Sequence, residues 1–184
     1  MTDARETMPA DILSFWRDAG RERWYRRDDA FDTEVRARYL DLWRKAAAGV
    51  LSSWETTDDG ALALTIVLDQ FPRNIFRDDP LTYSTDPLAR EVAARAIDRG
   101  ADQRIEPALL EFLYMPFMHS EHLPHQLRCI ELFRGTENAE NVGYAEQHAD
   151  IIRRFGRFPH RNRILGRRTT PEEQAFLDAG GFSG

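Results

Sequence analysis

The sequence has one cysteine, Cys129, and one lysine, Lys45. A single cysteine excludes an internal disulfide and a zinc site built from several thiolates of the same chain. The N-terminus also carries acidic residues where a secretory signal would carry basic ones before a long apolar stretch. Both features predict a protein of the reducing cytoplasm.

A long apolar run and an excess of positive charge are both missing. No segment reaches the roughly 20 apolar residues that span a bilayer, so no membrane association is expected. The formal net charge is −6, which argues against general nucleic-acid binding, because that requires a broad basic surface. With 184 residues, 42% of them hydrophobic, the chain can bury one core, and a single domain over residues 1–184 is expected.

Apolar residues recur at intervals of three and four, and no convincing alternating strand is present. The pattern therefore predicts an all-α fold of about eight helices, stacked as antiparallel hairpins because the loops are short. Helix starts are expected at Pro9, Asp29 or Asp32, Asp59, Asp86, Pro107, Ser120, Asn138 and Thr170. The corresponding stops are expected at Gly20, Gly49, Pro72, Gly100, Pro116, Gly135, Gly156 and Gly180. The third helix is apolar on nearly all sides, which predicts a central position in the packing.

The segment from Asp150 to Arg168 concentrates seven arginines and His160 in a chain that is acidic overall. Its core, Gly-Arg-Phe-Pro-His-Arg-Asn, contains Pro159, which forbids a regular helix and favours a loop of defined course. Rigidly held loops often carry binding groups. We therefore predict a functional loop that includes Arg157, Arg161 and Asn162.

Three histidines, His119, His122 and His125, follow one another at three-residue steps. On one helix each step turns about 60°, so the three spread too widely to bind one metal ion. His148 and His160 are the other imidazoles, yet the pattern matches no established metal motif. No metal ligand is predicted, although a site formed by distant histidines stays open. The alternative is that these histidines form hydrogen bonds at helix ends and lie over aromatic neighbours.

The stretch Leu68-Asp69-Gln70-Phe71-Pro72-Arg73-Asn74 places several polar groups at the end of the apolar third helix. Two interpretations stay open. In the first, Asp69 pairs with an arginine, while Gln70 and Asn74 satisfy backbone groups at the corner. In the second, these groups line a pocket together with the arginine-rich loop, since burying so many polar side chains only to hold a corner is costly.

Three stretches together resemble a known bacterial family, the domain of unknown function 924. They are LDQFPRNIFR at 68–77, YMPFMHSE at 114–121 with Gln126 and His148, and FGRFPHRNRILGRRTTPEEQAFL at 155–177. The resemblance covers nearly the whole chain and implies a tetratricopeptide-repeat-like helical superhelix. It implies no reaction and no cofactor, and His122 and His125 lie outside its motifs. Its motif positions here are Asp69, Gln70, Pro72, Arg73, Asn74, His119, Glu121, Gln126, His148, Arg157, His160, Arg161 and Asn162.

The leading hypothesis is a polar pocket for a small anionic or strongly hydrogen-bonding ligand. Arg73, Arg157 and Arg161 would hold a carboxylate or phosphate through parallel guanidinium donors. In an enzyme, His119 and His160 would transfer protons, Glu121 would orient an imidazole, and His148 would serve either role. The remaining expected ligand-binding residues are Asp69, Gln70, Asn74, Gln126 and Asn162.

Whether the protein is an enzyme stays open, and the sequence names no cofactor. The alternative hypothesis is a peptide- or protein-binding helical scaffold, which follows from the repeat-like architecture. Nucleic-acid binding by the arginine-rich loop is a third hypothesis, and it would require a wide basic face around that loop.

Overall fold

The computed structural model describes residues 6–136 and 138–182, and over these ranges the chain is helical without a strand. Eight α-helices of at least eight residues and one of five residues are present in the described ranges, together with short 3-10 turns. The α-helices are α1 (Pro9–Tyr25), α2 (Asp29–Ala47), α3 (Asp58–Asp69), α4 (Phe71–Ile75), α5 (Asp86–Asp98), α6 (Pro107–Met118), α7 (Leu123–Arg134), α8 (Ala139–Phe155) and α9 (Pro171–Asp178). The predicted all-α class is confirmed, and the superhelical arrangement stays a prediction.

The described chain forms two compact units. Unit 1 comprises residues 6–77 and 81–116, and unit 2 comprises residues 78–80, 117–136 and 138–182. The expected single domain stays a prediction. No helix within the described ranges has both the length and the apolar character needed to cross a bilayer.

Unit 1 is built around α3, whose residues from Gly60 to Asp69 are all buried. This helix packs against α1, α2 and α5. Thr57 caps its first turn by accepting a hydrogen bond from the Gly60 amide at 3.1 Å. The central position expected from its uniform apolar surface is therefore confirmed.

Unit 2 contains α7 packed against α8, and α9 packed against the 3-10 turn Pro159–Arg161. Gly156 ends α8 in the left-handed conformation, at φ 69°, which glycine adopts without a steric penalty. Unit 2 has a small hydrophobic core, in which the loop after α8 packs with residues of α8 and α9. That core consists of Ile151, Ile152 and Phe158 with Leu123, Phe155, Phe176 and Phe182 packed against it.

Two predicted helix ends differ from the observed ones. Gly20 leaves helical geometry, at φ 70° and ψ 170°, but the chain resumes a helix after this kink and α1 continues to Tyr25. Pro116 lies inside α6, which continues to Met118. Phe117 and Met118 are buried, and this packing outweighs the hydrogen bond that proline removes.

Two predicted caps also differ. Thr85, rather than Asp86, is the N-cap of α5, and the Asp86 carboxylate forms an ion pair instead. His122, rather than Ser120, is the N-cap of α7, while the Ser120 hydroxyl accepts a hydrogen bond from the His122 amide at 3.3 Å. The predicted capping box of Thr170 and Glu173 at the start of α9 is confirmed.

Candidate functional site

In unit 1 the polar groups that follow α3 bond to one another. Arg73 donates two hydrogen bonds to the carboxylate of Asp86, at 2.9 and 3.1 Å, and a third to the carbonyl oxygen of Asp69. The fully buried Asp69 carboxylate accepts a hydrogen bond from Gln70 Nε2 at 2.6 Å. Burial acts to lower the pKa of Arg73, but the charges of Asp69 and Asp86 raise it above its ordinary value. Arg73 therefore stays protonated and belongs to an internal network of hydrogen bonds and ion pairs.

Asn74 is held in the same manner by an acidic residue of α2. Its Nδ2 donates to Asp32 Oδ1 at 2.8 Å, and Arg77 donates to the same oxygen at 2.7 Å. These contacts support the structural interpretation of the corner. A ligand-binding role for Asp69, Gln70, Arg73 and Asn74 stays a prediction.

In unit 2, Arg157 and Asn162 both bond to Glu173 of α9. The guanidinium donates to the two carboxylate oxygens at 2.6 and 2.9 Å, and Asn162 Nδ2 donates to one of them at 3.1 Å. The Arg157 hydrogen bonds are the main reason that the pKa of Glu173 falls to about 2. The same carboxylate accepts the Thr170 amide at 2.8 Å. Glu173 thus ties the predicted loop to α9, a role that its capping box alone did not reveal.

Glu121 fixes the other side of this loop. It receives two hydrogen bonds from Arg167, at 2.7 and 2.9 Å, and one from the Phe158 amide at 2.8 Å. Burial acts to raise the pKa of Glu121, but the hydrogen bonds from Arg167 and Phe158 lower it below its ordinary value. The described contacts thus place Glu121 on a guanidinium and a backbone amide, and its expected role of orienting an imidazole stays a prediction.

His148 projects from α8 and is 6% exposed. Its Nδ1 lies 2.7 Å from the carbonyl oxygen of Tyr144, which can only accept, so Nδ1 carries the proton. The neutral ring therefore has its lone pair on Nε2. Burial is the main reason that the pKa of His148 falls to about 4.

His160 lies on the 3-10 turn that follows Phe158, and it is partly buried. Its Nδ1 atom is buried and has no hydrogen-bond partner. Burial, followed by the positive charge of Arg161 and the proximity of His148, lowers the pKa of His160 to about 3. Both histidines are thus neutral near pH 7.

Two phenylalanine rings join these imidazoles. The centroid of Phe158 lies 5.5 Å from that of His148 and 5.6 Å from that of His160. The ring of Phe182 lies 4.5 Å from His148 and 5.2 Å from His160, in edge-to-face geometry with each. We call these four residues the histidine–phenylalanine cluster.

Positive charge adjoins this cluster. Arg161 is 7% exposed, and its guanidinium carbon lies 4.5 Å from the centroid of the Phe158 ring. Its charge contributes to the lowered pKa of both His148 and His160. His119 also acts electrostatically on His148 and so lies in its neighbourhood. Of the predicted site residues, His119, His148, His160 and Arg161 are thus brought together.

Gln126 is fully buried at the bend between α6 and α7. Its Nε2 donates to the carbonyl oxygens of Met118 and Ser120, each at 2.6 Å, which holds the bend closed. Its Oε1 is buried without a hydrogen-bond partner, as is Oδ1 of Asn162. Both of these predicted residues therefore keep an unused acceptor in the interior of unit 2.

Residues 12–181 match a family described as bacterial protein of unknown function, DUF924. The chain belongs to this family. A solved structure of a protein of unknown function from Agrobacterium tumefaciens is 45% identical and superposes with a TM-score of 0.90, covering 94% of this chain and 97% of that one. No curated protein matches. The resemblance found in the three motifs is confirmed. The description of the DUF924 family states no activity.

The two histidines outside the DUF924 motifs lie at the start of α7. His125 Nδ1 is 2.8 Å from the Ser120 hydroxyl, and its ring centroid lies 4.7 Å from that of His122. Within the described ranges, no three His, Cys, Asp or Glu side chains are grouped closely enough to hold a metal ion. The residues that sequence reasoning missed are Phe182, Arg167 and Glu173. Only Glu173, through its capping box, carried a local signal.

Proposed function

We propose that unit 2 binds a small anionic ligand at the histidine–phenylalanine cluster. The observation that carries this proposal is the buried Nδ1 of His160, which has no hydrogen-bond partner. An unsatisfied buried polar atom costs about 1–3 kcal/mol, so a ligand that supplied its partner would offset that cost.

Arg161 supplies the charge for this ligand. The residue is buried, and it carries its positive charge at the face of Phe158. A carboxylate or phosphate oxygen placed there would gain charge-assisted hydrogen bonds that water does not screen. Arg73 and Arg157 bind Asp86 and Glu173, whereas Arg161 is the arginine that adjoins the histidine–phenylalanine cluster.

The lowered pKa values of His148 and His160 support a role for both rings in hydrogen bonding or proton transfer. Free of ligand, both rings are neutral and available for hydrogen bonding. An anion bound beside them would raise both pKa values towards neutrality, because an adjacent negative charge favours the protonated form. Binding would therefore be accompanied by proton uptake. In a catalysed reaction the same two imidazoles, with His119 near His148, would form the acid–base group.

The scaffold alternative has a weaker basis. A surface groove of about 310 Å³ lies on unit 2, lined by Leu127, Ile130, Glu131, Arg134, Glu146, Asp150 and Arg153. Two ion pairs already lie within this groove, since Arg134 donates to Glu146 at 2.6 Å and Arg153 bonds to Asp150. We favour the small ligand on that ground. The proposed setting of the protein is the cytoplasm, in keeping with the buried thiol of Cys129.

A thermal-shift screen with inorganic phosphate, acetate and sulfate, at constant ionic strength, tests the proposal. A ligand at about 100 times its dissociation constant stabilises the folded state by roughly 2.7 kcal/mol. Arg161→Gln should remove that shift. Arg163→Gln is the matched control, because Arg163 follows on the same loop but its side chain is 80% exposed.

Each variant is compared with its own unliganded midpoint, so a loss of intrinsic stability does not affect the result. His160→Gln provides a second variant, which leaves the charge of the free protein unchanged because the His160 ring is neutral near pH 7. The proposal is refuted if no anion stabilises the wild type above the chloride background. It is equally refuted if Arg161→Gln keeps the full shift.

A further inference from the structure

Phe182 differs from the other members of the cluster in how it is held. His148 lies on α8, and His160 lies on the 3-10 turn between α8 and α9. Phe158 is fully buried, and Glu121 holds its amide. Phe182 instead follows the end of α9, outside any helix, and is only partly buried.

The segment that carries Phe182 depends on two glycines. Gly180 has φ 78°, and its amide donates to the Leu177 carbonyl at 3.1 Å. The Gly181 amide donates to the Phe176 carbonyl at 2.9 Å. A Cβ at Gly181 would lie 2.5 Å from the Phe176 ring and 2.6 Å from its carbonyl oxygen. The position of Phe182 therefore requires the absence of a side chain at residue 181.

The groups that surround the Phe182 ring would also suit the aromatic ring of a ligand. Two neutral imidazoles meet the ring in edge-to-face geometry, at 4.5 and 5.2 Å between centroids. Such contacts are favourable for aromatic rings in general. Each imidazole also offers a nitrogen for hydrogen bonding, and His160 Nδ1 has no partner. Phe182 also packs against the apolar core of Ile151, Ile152 and Phe158, so both apolar and hydrogen-bonding groups surround its ring.

We propose that the Phe182 ring occupies the subsite of the ligand's own aromatic ring, and that the ligand is an aryl carboxylate whose binding displaces Phe182. This inference rests on the proposed function, since the carboxylate is the anion that Arg161 and the histidines bind. Phe182 then acts as an internal competitor. The aromatic subsite is closed in the free protein, and a ring with an attached anionic group both replaces the phenyl contacts and adds the charge interaction.

In competition of this kind, the apparent affinity equals the affinity of the open subsite multiplied by the fraction of molecules in which the subsite is open. Burial of a phenylalanine side chain corresponds to roughly a ten- to hundredfold factor in an equilibrium constant. Since Phe182 is partly buried, the lower end applies. Phe182→Ala should therefore bind benzoate about tenfold more tightly than the wild type does. Acetate, which has no ring, should gain less than benzoate.

Calorimetric titration of benzoate and acetate into the wild type, Phe182→Ala and Phe155→Ala tests the inference. Phe155 is the matched control, because it belongs to the same hydrophobic core and contacts Phe176 at 5.2 Å between ring centroids. Its removal should leave the affinity for benzoate unchanged. Gly181→Ala keeps the phenyl group but forces the segment to shift, so it should reproduce the gain seen with Phe182→Ala.

Circular dichroism of each variant checks that the helices are intact. If Phe182→Ala folds poorly, Gly181→Ala still tests the inference. The inference is overturned if benzoate binds no more tightly than acetate to the variants that open the subsite. If benzoate has no such advantage but acetate still binds and its binding requires Arg161, the proposed function stands. Loss of all anion binding in every variant would overturn both.

Discussion

Acid should destabilise this protein through His148 and His160 before its carboxylates are protonated. In the folded state the pKa values of these residues are about 4 and about 3, whereas an unperturbed histidine titrates near 6.5. As the pH falls below 6.5, the unfolded chain binds protons that the folded chain does not. The folded state therefore has its full stability above pH 6.5 and loses it as the pH falls towards 4 and then 3.

The expected size follows from linkage. At pH 5, each histidine should reduce the free energy of unfolding by about 2 kcal/mol, so that the pair accounts for about 4 kcal/mol. That is a large share of the roughly 5–15 kcal/mol that stabilises a typical domain. The charges around His160 do not cancel the effect. Arg161 and Arg167 lower its pKa, and Glu121 opposes them without preventing the large net shift.

Urea denaturation at about pH 7.5 and pH 5.0 measures this loss directly. The wild type should lose about 4 kcal/mol between the two conditions, and His148→Gln or His160→Gln should each lose about 2 kcal/mol. His122→Gln is the control, because His122 is exposed outside the cluster, and it should behave as the wild type does. An unchanged loss in both cluster variants, or ring resonances of His148 and His160 that titrate near pH 6.5, would refute the reasoning.

Three further predictions concern other parts of the chain. Asp86→Asn leaves Arg73 without its bidentate partner, and urea denaturation should show a loss of about 2–4 kcal/mol; an unchanged midpoint would contradict the assigned ion pair. Gly60→Ala places a Cβ 2.1 Å from a backbone oxygen, so calorimetry should show a loss of about 1–3 kcal/mol. Gly143→Ala, which meets nothing within 4 Å, should not share that loss. Burial raises the pKa of Cys129 to about 12, so an aromatic disulfide reagent at pH 8 should react with it only after unfolding; rapid reaction of the folded protein would contradict this.

The helices could be read from the sequence because their signals are local. The capping box at Thr170, the stop at Gly156 and the fully apolar α3 each depend on residues within a few positions of one another. The same local rules failed at Pro116. There the burial of Phe117 and Met118 outweighs the backbone preference, and burial is a property of the folded chain.

The polar motifs were also recognisable, but their partners were not. Arginine at position 73 or 157 is equally compatible with a ligand and with an internal carboxylate when only the sequence is known. The carboxylates are separated along the chain by 13 residues for Arg73 and by 16 for Arg157. No periodicity relates such positions, so the pairing depends on how α5 and α9 pack.

The amino-acid sequence alone determined the helical class through short-range spacing, and the resemblance of its three motifs pointed to the family and to the polar residues. Tertiary packing decided which of those polar residues form internal hydrogen bonds or ion pairs, and which keep a buried polar atom without a hydrogen-bond partner. It brought Glu173 into contact with Arg157, and it packed the rings of Phe158 and Phe182 against His148 and His160. Desolvation of these imidazoles arises only when sequence-distant side chains exclude water together.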